Sequence, residues 1–197
     1  MPLPAGKVDK ALVNKIGFER QDRRHLRGLT LHNTDTLILA LIASNRQASD
    51  EELRRIVAHL ARAPFASRPV RVTRWLREQS AQRDKILTET KLPSVEIHLL
   101  KRVYIDQQWP LGTTALTYLA DLHQAVQHPE AEIWTYRYYE EPMVGVLAPS
   151  HVRNVPNPQP FIYVAYNPRF GTIVTGYQTS GPEAIFTIGF EQIRKQR

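Results

Sequence analysis

The amino-acid sequence predicts an α+β protein, in which a basic helical region is followed by a small helix and a four-stranded antiparallel sheet. Helical periodicity dominates the first half of the chain, and strand-like runs follow one another in the second. Residues 1–90 hold 17 Lys and Arg against 10 Asp and Glu, whereas residues 91–197 hold 9 of each, so the first half carries the whole net charge of +7. We therefore expect two domains, a basic region of three helices at 1–90 and an α+β domain at 91–197.

The composition excludes several classes of protein. With 42% hydrophobic and 23% charged residues, the chain has the composition of a globular protein with a core of its own. No apolar run approaches the roughly 20 residues that cross a bilayer, and the start lacks the apolar stretch of a secretory signal. We therefore expect a cytoplasmic protein with no membrane partner. Because cysteine is absent, disulfides, thiolate nucleophiles and cysteine-ligated zinc are excluded.

The first half carries start signals for helices. Asn33 or Thr34 is predicted to cap a buried helix, and the capping box at Ser49–Glu52 begins a second one. A third helix is predicted within residues 70–87. Because the link at residues 63–69 is longer than a tight turn, a helical bundle with a basic face is favoured, and a helix-turn-helix module stays open as the alternative.

The excess charge is mostly arginine, whose planar guanidinium group binds phosphate through two parallel hydrogen bonds. An anionic partner, nucleic acid first, is therefore expected, although arginine-rich surfaces also serve solubility alone. The side chains predicted to contact nucleic acid are Arg23, Arg24, Arg27, Arg54, Arg55, Arg71, Arg74, Arg77, Tyr139 and Tyr166. The two tyrosines would stack on unpaired bases, the alternative being ordinary packing in strands.

The second half is predicted to contain one helix among strands. Residues 94–106 have the β-branched and aromatic content of a strand or of one bent extended segment. A helix is predicted between Gly112 and Pro129, and strand runs follow at 131–139, 142–148, 161–167 and 172–179, with 185–190 as a last strand. The proline-rich loop at 149–160 carries His151 and Arg153, and loops of this length in small domains are often functional.

The clearest structural signal is a β-hairpin at Phe161–Thr179. Two runs rich in β-branched and aromatic residues flank the turn at 167–171, where Gly171 is available for a positive φ. Strict alternation along the second strand predicts that one face carries Ile173, Thr175, Tyr177 and Thr179. A row of hydroxyl groups on one face of a sheet favours a binding or catalytic surface.

Motifs for metal, nucleotide and serine-hydrolase chemistry are absent from the sequence. There is no H-E-x-x-H, paired Asp-x-Asp or Cys/His cluster, no glycine-rich phosphate loop and no G-x-S-x-G elbow. We therefore expect no metal and no cofactor. The His, Arg, Tyr and Thr side chains that remain suit metal-independent RNA cleavage, which needs a base for the 2′-hydroxyl, an acid for the 5′-oxygen and a cation for the phosphate. Arg137 is the predicted phosphate clamp.

Residues 95–190 resemble a known group of RNases. The order of a helix, strands and a hairpin closing on Gly171-Thr172-Ile173-Val174-Thr175-Gly176-Tyr177 is similar to the RNase toxin domains of the barnase, EndoU, colicin and RelE group, the BECR fold. The resemblance implies a four-stranded antiparallel sheet with RNA against one face and Thr175 and Tyr177 at the late-strand positions. It also implies acid–base chemistry from a histidine of the preceding helix, His123 by preference.

We therefore predict a metal-independent endoribonuclease, a toxin or defence effector, with His123, Arg137, Thr175 and Tyr177 as catalytic residues. RNA is the expected partner, and an inhibitor or complex-partner protein is left open as a second. The alternative is a non-catalytic nucleic-acid-binding subunit of a larger complex, in which the sheet binds a strand and the arginines grip its backbone. In either case, much of the grip should come from residues 20–77.

Overall fold

The computed structural model, which describes residues 32–197, confirms the α+β class. The five α-helices of this part of the chain are α1 Asn33–Ser44, α2 Asp50–Leu60, α3 Arg74–Ala81, α4 Ser94–Leu100 and α5 Ala115–Gln127. A π-helical turn at Lys101–Ile105 continues α4, and a 3-10 turn lies at Pro182–Ala184. No helix within residues 32–197 combines the length and the apolar character that a bilayer crossing requires.

The strands of residues 32–197 form two antiparallel sheets. Their bounds are β1 Pro69–Arg71, β2 Lys91–Pro93, β3 Glu132–Tyr138, β4 Glu141–Pro149, β5 Phe161–Asn167, β6 Thr172–Thr179 and β7 Phe190–Lys195. The larger sheet has the order β6-β5-β4-β3-β7, and β1 pairs with β2 in the smaller one. The larger sheet has five strands instead of the predicted four, because the end of the chain pairs with β3. This last strand begins at Phe190, where the range predicted for it ended.

The two helix starts predicted in the first half are both present, but their caps differ. At α2 the capping box forms as predicted: Ser49 Oγ accepts the Glu52 N–H at 3.2 Å, and Glu52 Oε2 accepts the Ser49 N–H at 2.8 Å. At α1 the cap is His32, whose Nδ1 accepts the Thr34 N–H at 3.1 Å. The prediction of Asn33 or Thr34 as the cap is wrong, because an imidazole nitrogen serves as the acceptor instead.

The third predicted helix is shorter than residues 70–87. Thr73 caps α3 by accepting the Leu76 N–H at 3.2 Å, and the helix ends at Ala81. The residues just before it belong to β1, whose backbone groups pair with β2 and are therefore not free for helical hydrogen bonds.

The segment predicted as extended at 94–106 is helical, so that prediction is wrong. Ile97 and Leu100 lie three residues apart, and both are buried in a small core with Leu76 of α3. This spacing is that of one helix face. The β-branched and aromatic content that favoured a strand is equally compatible with a helix whose apolar side is covered.

One core joins the helices to the larger sheet. Its helix residues include Ile38, Leu41, Ile56, Tyr118, Leu122 and Val126, and its strand residues include Ile133, Val144, Val146, Ile162, Val164 and Ile173. Residues 32–197 accordingly belong to one compact unit. The change of composition near residue 90 is therefore not a boundary in the packing, and the division at 1–90 and 91–197 does not describe how this part of the chain folds.

A β-bulge interrupts the alternation along β6. Tyr166 pairs with Ile173, but the preceding residue Ala165 pairs with Thr175, so Val174 is an extra residue in the ladder. Ile173 packs in the core with the helices. Thr175 and Tyr177 instead lie on the opposite face, where the Tyr177 and Tyr163 rings meet at 5.3 Å. The prediction that Ile173 shares a face with Thr175 and Tyr177 is wrong, because the inserted residue reverses the pleat.

Candidate active site

Thr175 on β6 lies between two side chains from α4 and the π-helical turn that follows it. His98 is in the last turn of α4 and Arg102 is four residues further on, so both project from one side of the helical segment. His98 Nδ1 is 3.2 Å from Thr175 Oγ1. Arg102 Nη2 donates to the same oxygen at 3.3 Å, so the threonine hydroxyl is left to donate to the imidazole.

Arg102 ties this cluster to the edge of the sheet. Its Nε donates to the Gly176 carbonyl at 2.8 Å, its Nη1 pairs with the Asp106 carboxylate, and its guanidinium carbon lies 5.1 Å from the centre of the Tyr177 ring. The side chain of Arg102 is 8% exposed, whereas that of Asp106 is 33% exposed. Asp106 is therefore the more solvent-accessible partner of this ion pair. We call His98, Arg102, Asp106, Thr175 and Tyr177 the late-strand site.

The π-helical turn at Lys101–Ile105 places the two charged members of the site. The Asp106 N–H donates to the carbonyl five residues back at 2.8 Å, which widens the helix beside Arg102. Such turns are rare and occur frequently at functional sites. The chain after the turn is then fixed against β6, because Gln108 Nε2 donates to the Gln178 carbonyl at 2.8 Å.

Burial sets the protonation states in the late-strand site. It lowers the pKa of His98 well below the usual range, and the charges of Arg102 and Lys101 add to this effect, so the imidazole is neutral at pH 7. Burial and the Arg102 charge also lower the pKa of Lys101 to about 8. Burial raises the pKa of Tyr177 to about 12, so its hydroxyl keeps its proton. The site therefore combines a fixed cation, a neutral imidazole and a phenolic proton donor.

Helix α5 supplies Tyr118 to this region instead of His123. Tyr118 is buried, and its hydroxyl donates to the Gly176 carbonyl at 2.8 Å. His123 Nε2 lies 2.8 Å from the Ala63 carbonyl, to which it donates. Being five residues beyond Tyr118, His123 lies about 140° further round the helix axis. The structure does not bring His123 to Thr175, and the histidine beside that threonine is His98.

Arg137 and Tyr139 lie on a different part of the sheet. β4 and β5 separate β3 from β6, which places the strand of Arg137 about 14 Å from the strand of Thr175. The Arg137 Nε donates to Gln192 Oε1 at 3.0 Å and its Nη1 to the Glu140 carbonyl at 3.1 Å. The Tyr139 ring packs over Gly189 and meets the Tyr138 ring at 4.7 Å. Neither side chain joins Thr175 and Tyr177.

Tyr166 is a buried hydrogen-bonding residue, so its predicted stacking on bases is contradicted. Its hydroxyl donates to Asp35 Oδ1 at 2.6 Å, and its ring is fully buried. His59 Nε2 lies 3.1 Å from the same carboxylate oxygen and 2.9 Å from the Tyr166 hydroxyl. His32 stacks on His59 with ring centres 4.4 Å apart. This cluster joins α1, α2 and β5.

Arginines predicted to contact nucleic acid do line an open groove. It has a volume of about 660 Å³ and is formed by Arg71, Val72, Thr73, Arg74, Arg77, Thr90 and Lys91. The Arg74 side chain is 91% exposed, and Arg71 and Lys91 are also exposed. Arg77 instead donates to the Leu87 and Glu89 carbonyls and holds one wall of the groove. We call Arg71, Arg74, Arg77 and Lys91 the basic groove.

The other predicted arginines fall in three places. Arg54 lines a second groove of about 420 Å³ together with Arg62 and Arg197. Arg55 is exposed on α2. Arg23, Arg24 and Arg27 lie outside the described residues, so the structure says nothing about them.

Sequence reasoning missed His98 and Arg102. Their four-residue spacing is a signal only if residues 94–105 are taken as helical, because in a strand the two side chains would be about 13 Å apart along the chain. The pattern of Ile97 and Leu100 was the available indication of a helix.

Comparison of the chain with protein families, with curated proteins and with solved structures finds no match. Within residues 32–197, no three His, Asp or Glu side chains lie close enough together to hold a metal ion.

Proposed function

We propose that this protein is a metal-independent endoribonuclease that acts at the late-strand site, and that its setting is that of a toxin or defence effector. The observation that supports this proposal is the placement of His98 and Arg102 at the Thr175 hydroxyl, with the Tyr177 ring against the Arg102 guanidinium. A helix histidine beside a late-strand threonine is the arrangement that the resemblance to RNase toxin domains implies, with His98 in the place expected for His123.

Arg102 and Tyr177 would have different roles toward an RNA phosphate. A phosphate oxygen would replace the Asp106 carboxylate at Arg102, whose other donors remain on Gly176 and Thr175 and so hold the guanidinium in place. The guanidinium would stabilise the charge that develops on phosphorus. The Tyr177 hydroxyl, protonated at neutral pH, would donate to the leaving 5′-oxygen.

Incubation of the full chain with total RNA in EDTA tests this proposal. Wild type should cleave the RNA, and Thr175→Val and Tyr177→Phe should each slow cleavage by about 100-fold, the usual contribution of one positioned catalytic group. Thr172→Val is the control, because Thr172 lies on the same strand outside the site. Intact RNA with the wild-type protein, or unchanged rates in both site variants, would contradict the proposal.

The basic groove favours a second candidate, a non-catalytic nucleic-acid-binding subunit of a larger complex. Exposed cations around an open groove bind phosphate backbones without reading sequence. This function predicts salt-sensitive binding of RNA that leaves the RNA intact in the EDTA incubation. Wild-type cleavage would rule this candidate out.

A further inference from the structure

The late-strand site has one carboxylate, that of Asp106, and it is partly exposed. The side chain of Asp106 is 33% exposed, whereas the His98 imidazole is 1% exposed and accepts from the Thr175 hydroxyl. Tyr177 keeps its proton at neutral pH, because burial raises its pKa to about 12. Cleavage at Arg102 needs a base that a 2′-hydroxyl can approach. Of the five residues of the site, Asp106 is the one that meets this requirement.

The backbone of Asp106 is fixed from two sides. Its N–H donates to the Lys101 carbonyl at 2.8 Å within the π-helical turn, and its carbonyl accepts from Asn157 Nδ2 at 3.0 Å. The next residue, Gln107, has a φ of 55°, in the left-handed region that residues other than glycine seldom adopt. The Gln107 carbonyl accepts the Asn157 N–H at 3.1 Å, so the same loop residue supports this turn. These contacts fix the position from which the carboxylate projects toward Arg102.

The Asp106 carboxylate uses one of its two oxygens for Arg102. Oδ2 pairs with Nη1, whereas Oδ1 makes no hydrogen bond within the part of the chain that the structure describes. A phosphate oxygen that took the place of Oδ2 at Nη1 would lie beside the carboxylate, because both groups would face the same edge of the guanidinium. The 2′-hydroxyl is on the sugar carbon next to the one that carries this phosphate, so it would reach the carboxylate as well. A carboxylate without an adjacent cation is a better proton acceptor than a paired one.

We propose that Asp106 is the proton acceptor of the cleavage, an inference that rests on the proposed endoribonuclease function. The carboxylate takes the proton of the 2′-hydroxyl, and the 2′-oxygen bonds to phosphorus as the bond from phosphorus to the 5′-oxygen breaks. The 5′-oxygen takes the Tyr177 proton. The products are a 2′,3′-cyclic phosphate and a 5′-hydroxyl, and transfer of the proton from Asp106 to Tyr177 through solvent restores both groups.

The first test separates kcat from KM for cleavage of a short RNA oligonucleotide in EDTA. Asp106→Asn keeps the shape of the side chain and removes the proton acceptor, so kcat should fall by about 100-fold or more. KM should stay the same or fall, because a neutral amide competes less with the phosphate for Arg102. Asp84→Asn makes the same substitution at an exposed position outside the site and should keep the wild-type values. A raised KM with an unchanged kcat would show that Asp106 only positions Arg102 and would overturn the inference.

The second test distinguishes the proton acceptor from the proton donor. An oligonucleotide with sulfur in place of the scissile 5′-oxygen has a leaving group that needs no proton. This substrate should restore cleavage by Tyr177→Phe, while Asp106→Asn should remain about 100-fold slower than wild type on it. Equal restoration of both variants would contradict an acceptor role for Asp106.

Affinity for an oligonucleotide with a 2′-deoxy residue at the cleavage position shows that Asp106→Asn is folded and binds. If that variant does not fold, Asp106→Glu, which keeps the charge and the acceptor, should still cleave, and a folded but inactive Asp106→Glu would contradict the inference. Wild-type cleavage with an unchanged kcat in Asp106→Asn would overturn this inference and leave the proposed function standing. A wild-type protein that leaves RNA intact would overturn the proposed function, and this role with it.

Discussion

The late-strand site buries its arginine, whereas the basic groove exposes most of its cations. In the late-strand site every donor side of Arg102 has a protein partner, and the side chain is 8% exposed. In the basic groove Arg71 and Lys91 are exposed. Arg74 is 91% exposed and pairs with Glu78 at 2.6 Å. A buried guanidinium that is hydrogen-bonded to the protein stabilises the fold, whereas an exposed cation attracts and binds an anion from solvent. The same kind of substitution should therefore have different consequences in the two regions.

The largest effect is expected from Arg102→Met. Its removal deletes three hydrogen bonds of a charged donor. The free energy of unfolding should therefore fall by about 4.5 kcal/mol or more, since each such bond contributes about 1.5–3 kcal/mol, while the methionine retains part of the packing on Tyr177. Urea unfolding measures the change. Arg83→Gln, at an exposed position, is the control and should stay within about 0.5 kcal/mol of wild type. Equal stability of Arg102→Met and wild type would show that Arg102 does not stabilise the fold and would contradict the difference between the two regions.

A second loss of stability is expected at Tyr166, which is buried in β5 near the turn of the hairpin. Tyr166→Phe removes the donor to the buried Asp35 carboxylate, which should cost about 2 kcal/mol, the contribution of a hydrogen bond to a charged group. RNA affinity should not change, because Tyr166 is buried. Tyr139→Phe is the matched variant. A weaker RNA affinity in Tyr166→Phe at full stability would restore the prediction of base stacking.

The open cations should affect binding and leave stability unchanged. Arg71→Gln with Lys91→Gln should lower the slope of log affinity against log salt by about 1.4 for single-stranded RNA, and the affinity itself by about tenfold at moderate salt. Arg83→Gln with Lys85→Gln removes the same charge outside the groove and is the control. Equal losses in the two double variants would show that net charge, and not the groove, determines binding.

The last effect concerns pH. Below about pH 6.5 the unfolded chain protonates His98, while burial keeps the folded imidazole neutral because its pKa is lowered. The unfolded state then binds more protons, so the free energy of unfolding falls as the pH drops, by at most about 1.4 kcal/mol per pH unit. His98→Asn keeps a polar atom near Nδ1 and cannot titrate. Its pH slope between 4.5 and 6.5 should be smaller by one proton, and an identical slope would contradict a neutral, buried His98.

The sequence predicted correctly those elements whose structure depends on residues close together in the chain. The Ser49–Glu52 capping box, the helix ending before Pro129 and the hairpin at 161–179 all follow from residues close in sequence. The helical structure of residues 94–105 could not be predicted in this way, because a short apolar stretch rich in β-branched residues fits a strand and a half-buried helix equally well. Packing against Leu76 and the edge of β6 decides between them, and neither contact is visible in the sequence.

Two of the five residues of the late-strand site were predicted from the sequence. Thr175 and Tyr177 are identified by the hairpin motif, whereas His98 and Arg102 depend on the helix that was not predicted. The expected partners His123 and Arg137 lie elsewhere, because helix rotation and strand order place them, and a single sequence fixes neither.

The extra residue at Val174 bears on how related chains are to be compared. Because it offsets the second half of β6 from the first, loss of one residue there would turn Thr175 and Tyr177 toward the helices and bring Gly176, beside Leu122, to the other face. A relative that lacks the bulge would preserve the site only by moving its threonine and tyrosine one place along the strand. In alignments of this segment, residues that face the same side of the sheet should therefore be matched. This requires a gap at Val174 in relatives that lack the bulge.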